Sequence, residues 1–432
     1  MRHLMTVVIA SVATLLSAQQ INPQLAAYMD TVGAVDNHAH VLAPDVPDDK
    51  GYDALRCEGL PPDVGLPPAN LRFGAQTRLT WKALYGVEPK TTEEAEQGHP
   101  QAVDSLRKEH GTDYYDWVLQ KSGVDVVLAN RIAMTPGLKP PHFLWVPYAD
   151  ALLFPLNNDG LKTTPDRRAL FGMEDELRQQ YFKQAGITKL PPTLDEYLDR
   201  VVRPILRKQK EAGAVAIKFE AAYLRKLDFG TAAHDAAAKV YREGLAGTTP
   251  ADYKTLQDFL FHEVTLEAGR LGLAVHIHTG VGCGQFFDDA GANPMQLVAT
   301  FNDASLRGTN FVMLHGGTPF NRNVTSLLMK PNVYVDTSVL EFFFSPAELA
   351  QIMRPWLEFM PERVLMGTDS GPFGPGMGWI ETIWLGAHNE RQALGMVLSQ
   401  MMTDGVIDSD RAKEIAQRVL RGNAAELYHL QK

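Results

Sequence analysis

The segment AVDNHAHVLAP, residues 34–44, places His38 and His40 two positions apart on a run of strand-forming residues. In an extended strand, residues i and i+2 project from one face, so the two imidazoles stand side by side. Neutral imidazole is a ligand for zinc and related ions, and two of them make half a metal site. The spacing alone also fits two hydrogen-bonded histidines at a loop edge. The readings separate on whether other short apolar runs end in complementary groups. Lys218 in AVAIKFEA, His276 and His278 in LAVHIHTG, His315 in NFVMLHGG and Asp369 in RVLMGTDS each lie at the end of such a run. Histidines and a carboxylate from different segments can converge on a divalent cation, with an open position left for water in a catalytic zinc site.

The elements that must position these groups are short, β-branched and nearly continuous in hydrophobicity, as expected of parallel strands buried on both faces. Eight are legible: 34–40, 124–131, 143–150, 214–221, 273–280, 310–317, 333–338 and 363–370. Between them the patterning predicts helices over 194–212, 251–271, 294–306, 346–360 and 408–427. Alternation of eight strands with helices predicts an α/β fold, a (β/α)8 TIM barrel, whose chemistry sits at the C-terminal ends of its strands. A doubly wound open sheet competes with it, but would not normally gather side chains from so many strand ends. The connections over 41–123 and 151–213 are far longer than usual and predict lid insertions after strands 1 and 3, a layer that would set substrate specificity. The first contains GLPPDVGLPPAN at 59–70; the second contains Thr193 and Glu196, spaced as a helix-capping box.

DNHAH, the lysine of IKFE, HIHTG, LHGG and GTDS, in that order along the chain, resemble the amidohydrolase superfamily and within it the amidohydrolase 2 branch. The resemblance implies a barrel enzyme with one or two divalent metals, zinc foremost. It makes His38, His40, His278 and Asp369 metal ligands, with Asp369 also shuttling protons. His315 would bind a second metal or polarise the substrate. Lys218, an ammonium facing a cation at a buried strand end, needs its charge removed or balanced. The resemblance offers a carboxylated Lys218 bridging two ions; pairing with Glu220 or a substrate carboxylate is the other answer, and a lysine snorkelling to the surface the blandest. The implied reaction is hydrolysis of an amide, ester or lactone through metal-activated water, with Asp369 and His315 catalytic. The alternative is a decarboxylase or hydratase of the same superfamily.

Near the strand ends Arg131, Tyr148, Glu220 and Ser338 are candidate substrate contacts, Arg131 foremost because guanidinium suits a carboxylate or phosphate. His276 lies one pleat deeper than His278 and is expected to fill a core layer or orient a ligand. The glycine-rich DSGPFGPGMG lacks phosphate-loop spacing and reads as an active-site loop. A formal net charge of -10 gives no electrostatic reason to expect nucleic acid as a partner. Residues 1–18, with a basic start, an apolar run over 4–16 and a small-residue exit, read as a signal peptide, so the expected location is periplasmic or secreted and the mature domain is 19–432. Cys57 and Cys283 are the only cysteines, which excludes a disulfide framework and allows one bridge at most. With no paired base evident, Cys283 reads as an ordinary thiol.

Overall fold

The computed structural model describes residues 20–430 apart from 44–45, 47–48, 58–59, 61–70, 245–247 and 375. The signal-peptide segment and all of GLPPDVGLPPAN but Leu60 lie outside the described residues.

Eight strands form in the predicted order: β1 Ala34–Ala39, β2 Val124–Asn130, β3 Phe143–Val146, β4 Ala216–Phe219, β5 Ala274–His278, β6 Phe311–Leu314, β7 Val333–Asp336 and β8 Val364–Leu365. β1, β2 and β3 make one parallel sheet, and β4 to β8 make a second. Backbone bonds also link the sheets. The Lys218 amide donates to Pro147 O and Ala149 donates to Lys218 O, both at 2.8 Å, while His40 donates to Ser370 O and Asp369 to His38 O, both at 2.7 Å. Continuous hydrophobicity has its cause in burial on both faces. A large cluster lies between strands and helices. A smaller one draws on Val35, Leu128, Val146, Ala216, Ala274, Val312 and Leu365, with Tyr334 of β7 packed against them, so every strand contributes. Each such Val or Leu contributes roughly 1.5–3 kcal/mol of burial free energy.

The helices start where cap chemistry allows. Thr249 accepts from the Asp252 amide ahead of Pro250–Arg270, and Ser345 and Glu348 form a capping box ahead of Pro346–Phe359. Thr193 accepts from the Glu196 amide as its spacing predicts. The helix expected over 194–212 is interrupted by a wide turn at Leu198–Val202, just before Pro204, which has no amide hydrogen to continue the ladder. The helix expected over 294–306 is instead three short pieces, Pro294–Leu297, Val298–Asn302 and Ala304–Leu306, the last capped by the Asp303 side chain. The 25-residue helix Trp379–Thr403 was not expected. It is buried on most of its circumference and so lacks the one-sided apolar stripe that reveals a surface helix.

Candidate active site

From Asp36 to Ala39 β1 advances three positions while β2 advances two, from Val127 to Ala129. This β-bulge breaks the alternation of the strand. Val35 joins the smaller cluster and Asn37 meets Tyr428 of that cluster, yet His38 and His40 are also turned away from the face that Ala34 and Ala39 occupy. Asp36 ties β1 to the segment after β8. It accepts from the Thr368 amide at 2.9 Å, the Thr368 hydroxyl at 2.6 Å and the His38 amide at 3.2 Å. Burial pushes its carboxyl up to about 7, against the pull of those bonds.

The histidine pair and Asp369 come together. Asp369 Oδ1 lies 2.9 Å from His38 Nε2 and 3.3 Å from His40 Nε2. Asp369 adopts φ 56°, a left-handed conformation uncommon for a residue with a side chain. Burial works against its charge, but His315 and His38, with hydrogen bonds from His38 and His40, hold the carboxyl well below the usual carboxylate range. Burial and then the Lys218 charge push His38 well below its ordinary value. Ligand atoms of His38, His40 and Asp369 all lie within 4.8 Å of one another, so the donor set fits one cation.

On the neighbouring strands, His278 Nε2 lies 2.9 Å from Val281 O. A carbonyl only accepts, so that nitrogen carries the hydrogen and Nδ1 keeps its lone pair. His315 Nδ1 lies 2.9 Å from Ser338 Oγ, whose own hydrogen is directed at Asp336 Oδ1, 2.7 Å away. His315 Nδ1 is therefore the donor and Nε2 the free acceptor. The two free nitrogens face each other at 3.0 Å. Burial pushes His315 down to about 4, and burial with the His315 charge pushes His278 well below its ordinary value. Two neutral imidazoles with opposed lone pairs suit a cation between them and could hold one.

Lys218 is fully buried, which overturns the snorkelling expectation. Its Nζ lies 3.3 Å from His38 Nε2 and 3.7 Å from Glu220 Oε1. A cavity of about 240 Å³ opens over this group, lined among others by His40, Asp53, Lys218, Glu220, His278, His315 and Asp369. Its rim includes Gly371 to Gly374 of the glycine-rich loop and Leu55 and Cys57 of the connection after β1. Among the described residues, none from 151–213 lines it, so the expectation that both long connections bound the substrate region is corrected.

Arg131 is not at this cavity. Its guanidinium is buried, clamps Asp49 at 2.7 and 3.1 Å, and donates to Val41 O and Ala133 O. Those bonds consume the donors that a substrate anion would need, and they brace the connection after β1 instead. Nor is Cys283 a free thiol: it is disulfide-bonded to Cys57, 226 residues away, which clips that connection to the loop after β5. His276 is fully buried with Nε2 2.7 Å from Tyr428 Oη, filling a layer beneath the cavity. Sequence reasoning missed Asp53, whose Oδ2 lies 3.5 Å from His40 Nδ1, Asn130, whose amide lies 2.6 Å from His38 Nδ1, and Asp336. Asp336 and Asn130 end their strands, a position that could have flagged them. Asp53 follows a 3-10 turn in a loop and gave no signal.

A protein-family model described as Amidohydrolase matches residues 171–430. The protein fluG of Emericella nidulans is 27% identical over 199 residues, 45% of this chain and 22% of that relative's length, so the chain spans about a fifth of it. A protein from Lactobacillus casei ATCC 334, assigned as a metal-dependent hydrolase, is similar in structure, with a TM-score of 0.59, 15% identity and coverage of 94% of this chain and 97% of that one. A uronate isomerase from Thermotoga maritima, with a TM-score of 0.58 and 13% identity, covers 94% of this chain and 96% of its own. A glucuronate isomerase from Caulobacter crescentus, also at 0.58 and 13%, covers 95% and 94%. At these identities the likeness is one of fold.

Proposed function

The chain belongs to the amidohydrolase family and is an enzyme with a small-molecule substrate, and from that premise we propose that it is a metal-dependent hydrolase of an amide, ester or lactone bond. The observation that carries the reading is the convergence of buried His38 with His40 and an ionised Asp369 at the cavity. These three would hold one divalent cation, zinc by the softness of its nitrogen donors, and His278 and His315, with Lys218 in carboxylated form, would hold a second. Bound there, the cation supplies a Lewis acid and a more acidic water at neutral pH.

The chain's own groups do the rest. Asp369 takes a proton from the attacking water at its carboxylate and returns it to the leaving nitrogen or oxygen, so that water is split across the bond. Ser338 and Asp336 fix the tautomer of His315, and Val281 O fixes that of His278. With Nδ1 committed as donor, His315 suits holding a cation better than donating to a carbonyl. Bonds linking β3 to β4 and β1 to the segment after β8, and a cluster fed by every strand, support reading the two sheets as one closed (β/α)8 barrel spanning 19–432. The connection after β1 would be its lid. Residues 1–18 would be an export signal placing the protein in the periplasm or outside the cell; among the described residues no helix is long and apolar enough to cross a membrane.

The test is turnover of a panel of amides, esters and lactones by protein stripped with a chelator and reloaded with Zn²⁺, Mn²⁺ or Co²⁺. Activity is expected to vanish on stripping and return on loading, with hydrolysis products by mass spectrometry. Release of carbon dioxide, or net hydration of a double bond, would give the protein to the decarboxylase or hydratase reading instead.

A further inference from the structure

On the side of His40 away from Asp369, the cavity wall carries two carboxylates. His40, Asp53 and Glu220 each present an atom within 4.8 Å of the others. Asp53 and Glu220 are both buried, at 8% and 3% exposure, and both line the cavity. One Glu220 oxygen, Oε2, has no hydrogen-bond partner. An orphaned buried carboxylate oxygen costs free energy until something donates to it. Lys218 Nζ lies 3.7 Å from Glu220 Oε1 and 3.3 Å from His38 Nε2, and in the carboxylated form proposed above it brings no positive charge to this wall.

A metal ion does not answer this wall well. His40 Nε2 is directed at Asp369, and its Nδ1 lies 3.4 Å from Tyr52 O and 3.5 Å from Asp53 Oδ2. A neutral imidazole has one lone pair. With that pair committed to the cation that His38, His40 and Asp369 would hold, Nδ1 carries the hydrogen toward these acceptors, and the cluster offers a doubly charged metal ion two carboxylates only. An organic cation carries half that charge and brings N–H donors, which the partnerless Glu220 oxygen lacks. The surrounding wall supplies Leu55, Val339, Phe343 and Phe373, suited to an apolar or aromatic frame.

We propose that Asp53 and Glu220 form an acidic subsite that takes a cationic nitrogen group of the substrate, set on an apolar frame and held beside the scissile bond. The proposal rests on the active-site reading above and adds the substrate class. Asp53 reaches the wall because the connection that carries it is clipped to the loop after β5 by the Cys57–Cys283 disulfide.

The experiment is calorimetric titration of full-length, metal-loaded protein with benzamidine, charged at neutral pH, and with benzamide, its neutral near-isostere. Benzamidine is expected to bind at least about tenfold more tightly, and Glu220→Gln and Asp53→Asn each to remove most of that preference, as for a charge-assisted contact. Equal affinity of the two probes in the wild type overturns the subsite without recourse to any variant. Metal analysis of the same samples is the second arm: an ion lost from Asp53→Asn or Glu220→Gln, with the preference for benzamidine absent, overturns it in favour of a cation site. Discrimination between the probes with no hydrolysis across the panel leaves the subsite standing and removes the hydrolase reading, so the two fail separately.

Discussion

Two sets of carboxylates withdrawn from bulk water in this protein have opposite chemistry. Asp369 is surrounded by ring nitrogens from β1 and from the turn after β6, and they hold it ionised. Glu341 and Glu390, one just after β7 and the other on the helix Trp379–Thr403, are fully buried and face each other and Asp336. Burial and then the neighbouring Glu390 push Glu341 well above the carboxylate range. Burial pushes Glu390 up to about 8, with the Thr337 hydroxyl and Arg391 countering in part. Desolvation penalises the charged form of either group; fixed donors and cations decide whether that penalty is overcome. A buried acid is therefore kept charged where its neighbours complement its charge, and is held neutral where they repeat it and no cation joins them.

The strongest way to break this contrast is to remove the charge that the site preserves. Asp369→Asn is expected to lower kcat by roughly 10²–10⁴-fold, the range for loss of a general acid and base. Metal content should fall far less than in His38→Ala, as measured by elemental analysis. Full activity of Asp369→Asn would end its proton-transfer role.

Arg131 sharpens the contrast from the side of stability, because it is a buried charge whose partner, Asp49, lies away from the cavity. Arg131→Met leaves Asp49 without its cation and is expected to cost about 3–5 kcal/mol in denaturant unfolding. KM per folded molecule should stay unchanged. A raised KM at wild-type stability would return Arg131 to substrate binding.

Ser338→Ala removes the acceptor that holds His315 in one tautomer. Loss of such an outer hydrogen bond typically costs 10–100-fold in metal affinity. Competition with a chromogenic chelator reads this directly, and Ser338→Thr, which keeps the hydroxyl, should restore most of it. Equal loss in both variants would mark a packing defect rather than an orienting bond.

The most gradual expected effect, spread over several pH units, concerns the acid pair. Glu390 has an ordinary value of 4.5 and a folded value of about 8, so the folded protein binds its proton more tightly than the unfolded chain does. The stability it contributes is complete below about pH 4.5 and is lost as pH rises towards 8. Thermal or urea unfolding from pH 5 to 8 should show the wild type losing up to ~1.4 kcal/mol per pH unit relative to Glu390→Gln. Parallel pH profiles would show that Glu390 ionises freely in the fold.

Sequence patterning sufficed where the cause is local. Near-continuous hydrophobicity marked all eight strands, because both faces of each are covered, and the polar residue at the end of each run marked His38, Lys218, His278 and His315. Helices fared worse. A helix buried all round has no stripe to read, and a capping residue within a predicted helix, such as Asp303, starts a new turn.

Determined by the sequence alone are the residue types, their order and the strand ends on which they ride. Tertiary structure decided which donors remain free for chemistry. Arg131 had the right chemistry and spent it on Asp49; Cys283 found Cys57 across 226 residues; Asp53 reached His40 from a loop with no pattern of its own. The bulge in β1 turned His38 and His40 off the face that strict alternation would have given them. The physical reason is common to all four: a local pattern fixes where a side chain begins, whereas its hydrogen-bond and charge partners come from distant segments that only folding brings within a few ångströms.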